Sequence, residues 1–231
     1  MRKSVVLIST PTPLHTRPKE FGERYLKVFF EEFPGLKPQT VSYTEPINKP
    51  VATIEDALEY WGQLTFYWRR KNAPQTLGSV TETGNFGPDG VSLQCHWNNS
   101  IDWFGLFLRL IEIAQSNSAY IHYFTKPELV PIPANGPESS FWLGAAGAAL
   151  RDGIPGIGWA NYFGGDYAKE VDPDLLRENG FEVEPFESGY IFKVSPDITD
   201  VKTDYEAFDK RRQLLRSLFR EGVFQKPSQE A

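Results

Sequence analysis

Three histidines and one cysteine are the side chains of this 231-residue chain from which nucleophilic or metal chemistry would have to start. His15 lies in a proline-rich stretch between Pro13 and Pro18, where no pattern surrounds it. Cys95 and His96 are adjacent in an alternating segment that reads as a strand. Consecutive strand side chains point to opposite faces, so these two cannot form a nucleophile–base pair with each other. Cys95 is expected to be a buried, inert thiol. His122 sits in a second strand-like segment and could meet His96 or Cys95 across a sheet. Two strand histidines without a matched carboxylate spacing do not define a metal site, and a structural role is expected for both.

The glycine-rich stretches add no chemistry. Gly153-Ile154-Pro155-Gly156-Ile157-Gly158 matches neither the dinucleotide fingerprint nor the phosphate loop that ends in Gly-Lys-Ser/Thr, and it is expected to shape a turn. No Gly-x-Ser-x-Gly elbow and no His-Glu-x-x-His helix occurs. Carboxylate pairs such as Asp172 with Asp174 and Glu182 with Glu184 belong to an acidic surface. The basic clusters Arg69-Arg70-Lys71 and Arg211-Arg212 are read as late in helices, where they complement the helix dipole. They are too small for nucleic-acid binding. The expectation is a protein with no catalytic residues, no cofactor and no metal.

The elements around these residues alternate between helix and strand. A first strand is expected over Ser4–Ser9, and a helix over Pro18–Phe33 that stops at Pro34-Gly35. Thr40–Tyr43 reads as a short strand. Thr53 and Asp56 form a capping-box pattern, opening a helix that the spacing of Ile54, Leu58, Trp61, Thr65 and Trp68 carries to Lys71. Tyr60, Phe66 and Tyr67 lie off that stripe, so this helix has either two buried faces or one face for a partner. Residues 72–90 read as a loop, Val91–Trp97 as a strand, and Trp103–Gln115 as an almost wholly apolar central helix. A strand over Ala119–Phe124, a proline-rich loop over Lys126–Ser140 and a small-residue helix over Phe141–Leu150 follow. Next come a strand over Ile157–Phe163, short helices over Asp166–Val171 and Pro173–Asn179, and a hairpin of Phe181–Pro185 with Gly189–Val194. A capping box at Thr203 to Glu206 opens the last helix, to Phe219. This order predicts an α+β fold, a mixed sheet packed with helices, in a single domain over residues 1–231.

Composition narrows the function classes. Apolar residues make up 40% and charged residues 23%, as in a globular protein. Aromatics reach 14%, and Trp and Tyr serve protein interfaces as well as cores. The net charge of −6 argues against nucleic acid or an anionic membrane as partner. The charge is uneven: Gly164–Asp209 holds thirteen acidic residues against four basic ones, a segment suited to a basic partner. One cysteine rules out a disulfide framework, and no apolar run is long enough for a signal peptide or a membrane span. A cytoplasmic protein is expected.

Several blocks together carry a family likeness. They are Tyr60-Trp61-Gly62 leading to Trp68-Arg69-Arg70, and the strand-then-loop block from Ala119 to Glu128. To these add Gly156-Ile157-Gly158-Trp159-Ala160-Asn161-Tyr162-Phe163-Gly164 with Tyr167, of the form Gly-Trp-x-x-Tyr-Phe/Leu-Gly. Gly189 to Ser195 and Phe208 to Arg212 complete the set. This layout, over residues 50–220, resembles the immunity proteins of bacterial polymorphic toxin and type VI secretion systems. The immunity protein 52 family is the nearest, and a type VI immunity family with a similar Gly-Trp block is its rival. The resemblance implies a cytoplasmic antitoxin that binds and neutralises one cognate toxin, in that family a restriction-endonuclease-like nuclease. It assigns no catalytic residues.

The residues expected to meet the partner are Tyr60 and Tyr67 as anchors, and Asp166, Glu170, Asp172 and Asp174 as steering charges. Trp61 and Trp159 are expected in the core. Two alternatives have different signatures: a small-molecule hydrolase would use His96 or His122 with an acidic partner, and a secretion-system adaptor or chaperone would use neither.

Overall fold

The computed structural model describes residues 4–82, 89–129, 154 and 156–224. The expected helix over Phe141–Leu150 lies outside them. Contacts group the chain into two compact units, one within Val5–Ser116 and one drawn from the residues after it. The fold is α+β, as its element order predicts, and each strand ladder described below is antiparallel where a mixed sheet was expected.

The first unit opens with β1 (Val5–Pro11) and α1 (Lys19–Lys27), which runs on through a π turn over Val28–Glu32. Next come β2 (Thr40–Ser42), β3 (Lys49–Pro50) and α2 (Ile54–Leu58). Thr53 caps α2 as expected: its side chain accepts from the Asp56 N–H, and the Asp56 carboxylate accepts from the Thr53 N–H at 3.0 Å. The helix does not continue to Lys71. It ends at Leu58, Gly62 takes φ +90°, and residues Thr65–Arg70 form β4. Thr, Phe, Tyr and Trp in sequence favour a pleated surface, and that preference wins over the helical spacing of Trp61, Thr65 and Trp68. Tyr60 is therefore in the turn after α2, and Tyr67 is on a strand.

Strand β5 (Thr76–Thr81) occupies what the sequence suggests is a loop, and β6 (Gly90–His96) precedes α3 (Trp103–Ala114). The strand order in this unit is β3-β2-β4-β5-β6-β1. The register puts Trp68, Gly78, Leu93 and Ile8 side by side on one face, with Phe66, Val80 and Val91 beside them. That face is the core. A Cβ on Gly78 would lie 2.1 Å from Trp68 Nε1, so the glycine is what admits the indole. The Trp68 N–H donates to the Tyr25 hydroxyl of α1 at 2.7 Å, and the Trp61 ring lies tilted against Phe66, with centroids 4.5 Å apart. α3 packs on β1 and β6 through Leu106, Phe107, Leu110 and Ile111, while Arg109 and Glu112 face outward. It is buried on one side rather than all round.

The second unit has β7 (Ser118–Phe124), β8 (Ala160–Phe163), α4 (Pro173–Glu178), β9 (Glu182–Phe186) and β10 (Gly189–Lys193). It ends in α5 (Asp200–Thr203) and α6 (Tyr205–Ser217). Its strands run in the order β7-β8-β10-β9. The predicted hairpin is β9–β10, turning at Glu187 with φ +47°. The last helix is capped by Asp204, one residue later than the Thr203 box predicts. Trp159 is buried and donates to the Ser195 carbonyl at 2.9 Å, so both tryptophans expected in the core are there.

Candidate functional site

A buried polar network in the second unit contains the sort of histidine–carboxylate pair a hydrolase would need. β7 carries His122 inward, the 3-10 turn after it carries Glu128, and α6 carries Arg212, Asp209 and Tyr205. His122 Nε2 lies 2.9 Å from Glu128 Oε1, and Arg212 Nη1 donates to the same oxygen at 3.0 Å. The Thr125 N–H donates to the other carboxylate oxygen at 3.3 Å. Arg212 also donates through Nε and Nη2 to Asp209 and through Nη2 to the Tyr205 hydroxyl.

Burial decides what this network can do. The side chains of His122, Glu128 and Arg212 are 0%, 7% and 13% exposed. Desolvation pulls the His122 pKa below its ordinary 6.5, against the opposing pull of Glu128, so the ring is neutral at pH 7 and donates Nε2–H to the carboxylate. Burial alone would raise the Glu128 carboxyl, but His122, Arg212 and the Thr125 N–H together hold it below 4.5. Phe124 meets the imidazole edge-on at 4.7 Å, and Phe208 lies 5.7 Å away. The imidazole is neutral, fully buried and packed between aromatic rings. It ties β7 to α6. The Arg211-Arg212 pair is accordingly a strut: Arg211 donates to the carbonyls of Val194 and Gly180, at 2.9 and 3.0 Å. Spacing along the chain held no sign of this, because Glu128 and Arg212 are 84 residues apart.

The acidic residues expected to steer a partner have unequal roles. Asp166 and Asp174 are 84% and 85% exposed and make only local pairs, with Lys169 and Arg177. Glu170 is 11% exposed and accepts both Arg220 nitrogens at 2.5 Å. Asp172 caps α4 by accepting from the Leu175 N–H at 3.0 Å. Glu170 and Asp172 therefore hold structure. In the first unit Tyr60 and Tyr67 are half-buried; Tyr67 shares its sheet face with Ser79 and Ser92, opposite the core.

A cleft of about 440 Å³ crosses the end of the first unit's sheet, where β4 and β6 finish and β5 and β1 begin. Arg69, Arg70, Lys71, Gln75, Gln94 and His96 line it. The basic trio is at a strand end, not a helix end, so dipole complementation does not account for it. Cys95 reaches the cleft from the buried side and touches Thr76 Oγ1 at 3.1 Å. Burial pushes its thiol up to about 11, so it is protonated at neutral pH. Among the described residues no cluster of three or more His, Cys, Asp or Glu is placed to hold a metal ion. Among the same residues no helix is long and apolar enough to cross a membrane.

No protein-family model matches the chain, and no curated protein does either. Among solved structures it is similar to the Pseudomonas aeruginosa T6SS protein PA0821. The two share 11% identity and a TM-score of 0.61, over 96% of this chain and 76% of that one. At that identity the likeness speaks to the fold alone. What the chain shares with a known protein is thus the fold of a T6SS protein, and no family model stands behind the closer resemblance to immunity protein 52.

Proposed function

We propose that this protein is an immunity protein of a type VI secretion or polymorphic toxin system. It binds one cognate toxin in the cytoplasm and neutralises it by contact, with no catalysis of its own. The observation that carries this reading is the fold shared with a T6SS protein along almost the whole chain. The burial of the His122–Glu128 pair supports it, because this buried arrangement, which resembles a hydrolytic dyad, packs β7 against α6. The carboxylates of Asp166 and Asp174 stand in solvent and suit a basic partner such as a nuclease toxin. Tyr67 is the aromatic anchor we assign, with Tyr60 as a lesser contact. Glu170 and Asp172 are left out of the interface, since each already has a structural partner.

The test is co-expression with a toxin encoded beside this gene, where the neighbourhood holds one, scoring survival and co-purification. Tyr67→Ala should weaken the complex by about 2 kcal/mol, roughly thirtyfold in Kd. Adding Asp166→Lys and Asp174→Lys should slow association and flatten its salt dependence. Unchanged affinity in the triple variant rejects these residues as contacts. Failure of the unaltered protein to protect or to bind rejects the function.

A further inference from the structure

The cleft at the sheet end has a composition that neither the fold nor toxin binding requires. Arg17, Arg109, Arg177, Arg212 and Arg220 each meet a carboxylate. Among the described residues no carboxylate lies within ion-pair distance of Arg69, Arg70 or Lys71, and no acidic residue lines the cleft. Arg70 is the most constrained of the three. Its Nη1 and Nη2 donate at 3.4 and 3.5 Å to the carbonyls of Lys37 and Ala73, and its Nε is buried with no hydrogen-bond partner. Carbonyls orient a guanidinium without cancelling its charge, and a buried N–H with no acceptor is costly to keep. Register sets the walls: Arg70 faces Thr76 and Cys95 on one side of the sheet, while Arg69 faces Leu77 and Gln94 on the other.

We propose that this cleft binds a small organic anion, its phosphate or carboxylate group held by Arg70 and Lys71. The guanidinium fork matches a planar or tetrahedral oxyanion, and Gln75 and Gln94 offer amide donors beside it. The volume exceeds that of a bare oxyanion and falls in the range of small-molecule sites, with Val5 and Leu77 as apolar wall for the rest of the molecule. The proposal is independent of the toxin reading.

The 15N-labelled protein is titrated with phenyl phosphate and, separately, with benzoate, following amide shifts. Binding predicts saturable shifts at residues 69–71, 75–77 and 94–96, with Kd below about 1 mM for at least one probe. The probe that binds more tightly identifies the head group. Arg70→Gln should weaken binding at least tenfold. Arg69→Gln with Lys71→Gln removes side chains that make no ion pair with a described residue, so a loss there reports on the anion even if Arg70→Gln disturbs the adjoining loop. Absence of saturation up to about 20 mM for both probes overturns the proposal. Unchanged affinity in the Arg69→Gln, Lys71→Gln protein, or shifts scattered over other basic surfaces, overturns it equally.

Discussion

Replacing Arg212 with Met should destabilise the protein far more than a role in complementing the helix dipole suggests. Methionine keeps the apolar stem of the side chain and removes the guanidinium, with its charge and its place over the Phe208 ring. Glu128 then loses its 3.0 Å partner while only 7% exposed, and Asp209 loses two donors. Breaking a buried ion pair by removing one member costs about 3–5 kcal/mol, because a charge is stranded. Glu128 would still accept from His122 and from the Thr125 N–H, so the loss should fall near the lower end, about 3 kcal/mol. Urea unfolding followed by tryptophan fluorescence measures it, since Trp159 is buried in the same unit. Lys210→Met, which breaks an exposed pair with Glu206, is the control and should change stability by less than about 0.5 kcal/mol. Adding Glu128→Gln to Arg212→Met removes the stranded charge and should recover about half of the loss. A loss below about 1 kcal/mol in the single variant, or an undiminished loss in the double, would refute the assignment of this network as a buried strut.

Two further outcomes follow from the packing. Stability should fall as pH drops from 7 to 5, because the unfolded chain protonates His122 near its ordinary 6.5 while the native ring, with its lowered pKa, does not. Unfolding then takes up a proton, with a slope of at most about 1.4 kcal/mol per pH unit, and His122→Gln should flatten the urea midpoint over that range. Below about pH 4.5 the Glu128 carboxyl, held below that value when folded, adds to the loss in the same direction. Gly78→Ala should cost about 1–3 kcal/mol in thermal or urea unfolding by displacing Trp68, and Gly189→Ala should cost at least as much, since its Cβ would meet the Phe163 carbonyl carbon and oxygen; a neutral result at either position would contradict these contacts.

Where one local rule acts alone, the chain is easy to read. The Thr53 box, the Pro173 helix and the Glu187 hairpin come out as expected, because each is a short-range matter of caps and turns. The failures come where two rules compete. Trp61, Thr65 and Trp68 satisfy a helical spacing, while Phe66 and Trp68 equally satisfy the alternation that β4 uses. Only the neighbour could decide, and that neighbour, β5, was itself hidden: it lies in residues 72–90, which look like a loop for their Gly, Pro, Asn and Thr, yet Gly78 among them is there to admit Trp68. One misreading produced the other. It also misplaced Tyr67 and gave Arg69-Arg70-Lys71 a helix-end role that the strand removes. The His122–Glu128–Arg212 network was illegible for a different reason: its members come from three elements, and only the fold sets them side by side.

Charge in this chain falls into populations that differ in how easily they can change partners. Carboxylates outnumber basic side chains, 30 to 24, so no cation lacks an acid for want of supply. Glu128 and Glu170 are largely buried and committed to Arg212 and Arg220; giving up either partner would strand a charge. Asp166 and Asp174 pair with Lys169 and Arg177 in open solvent, where such pairs hold little, so a basic partner can take them over at small cost. Arg69, Arg70 and Lys71 go further, since among the described residues no carboxylate lies against them. Three adjacent like charges repel one another, and an acidic protein could have quenched that with a single substitution among the cleft residues. That they stand unpaired among the described residues, beside two glutamines and with Arg70's own Nε buried and unsatisfied, is better explained by an anion that comes and goes than by the requirements of the sheet.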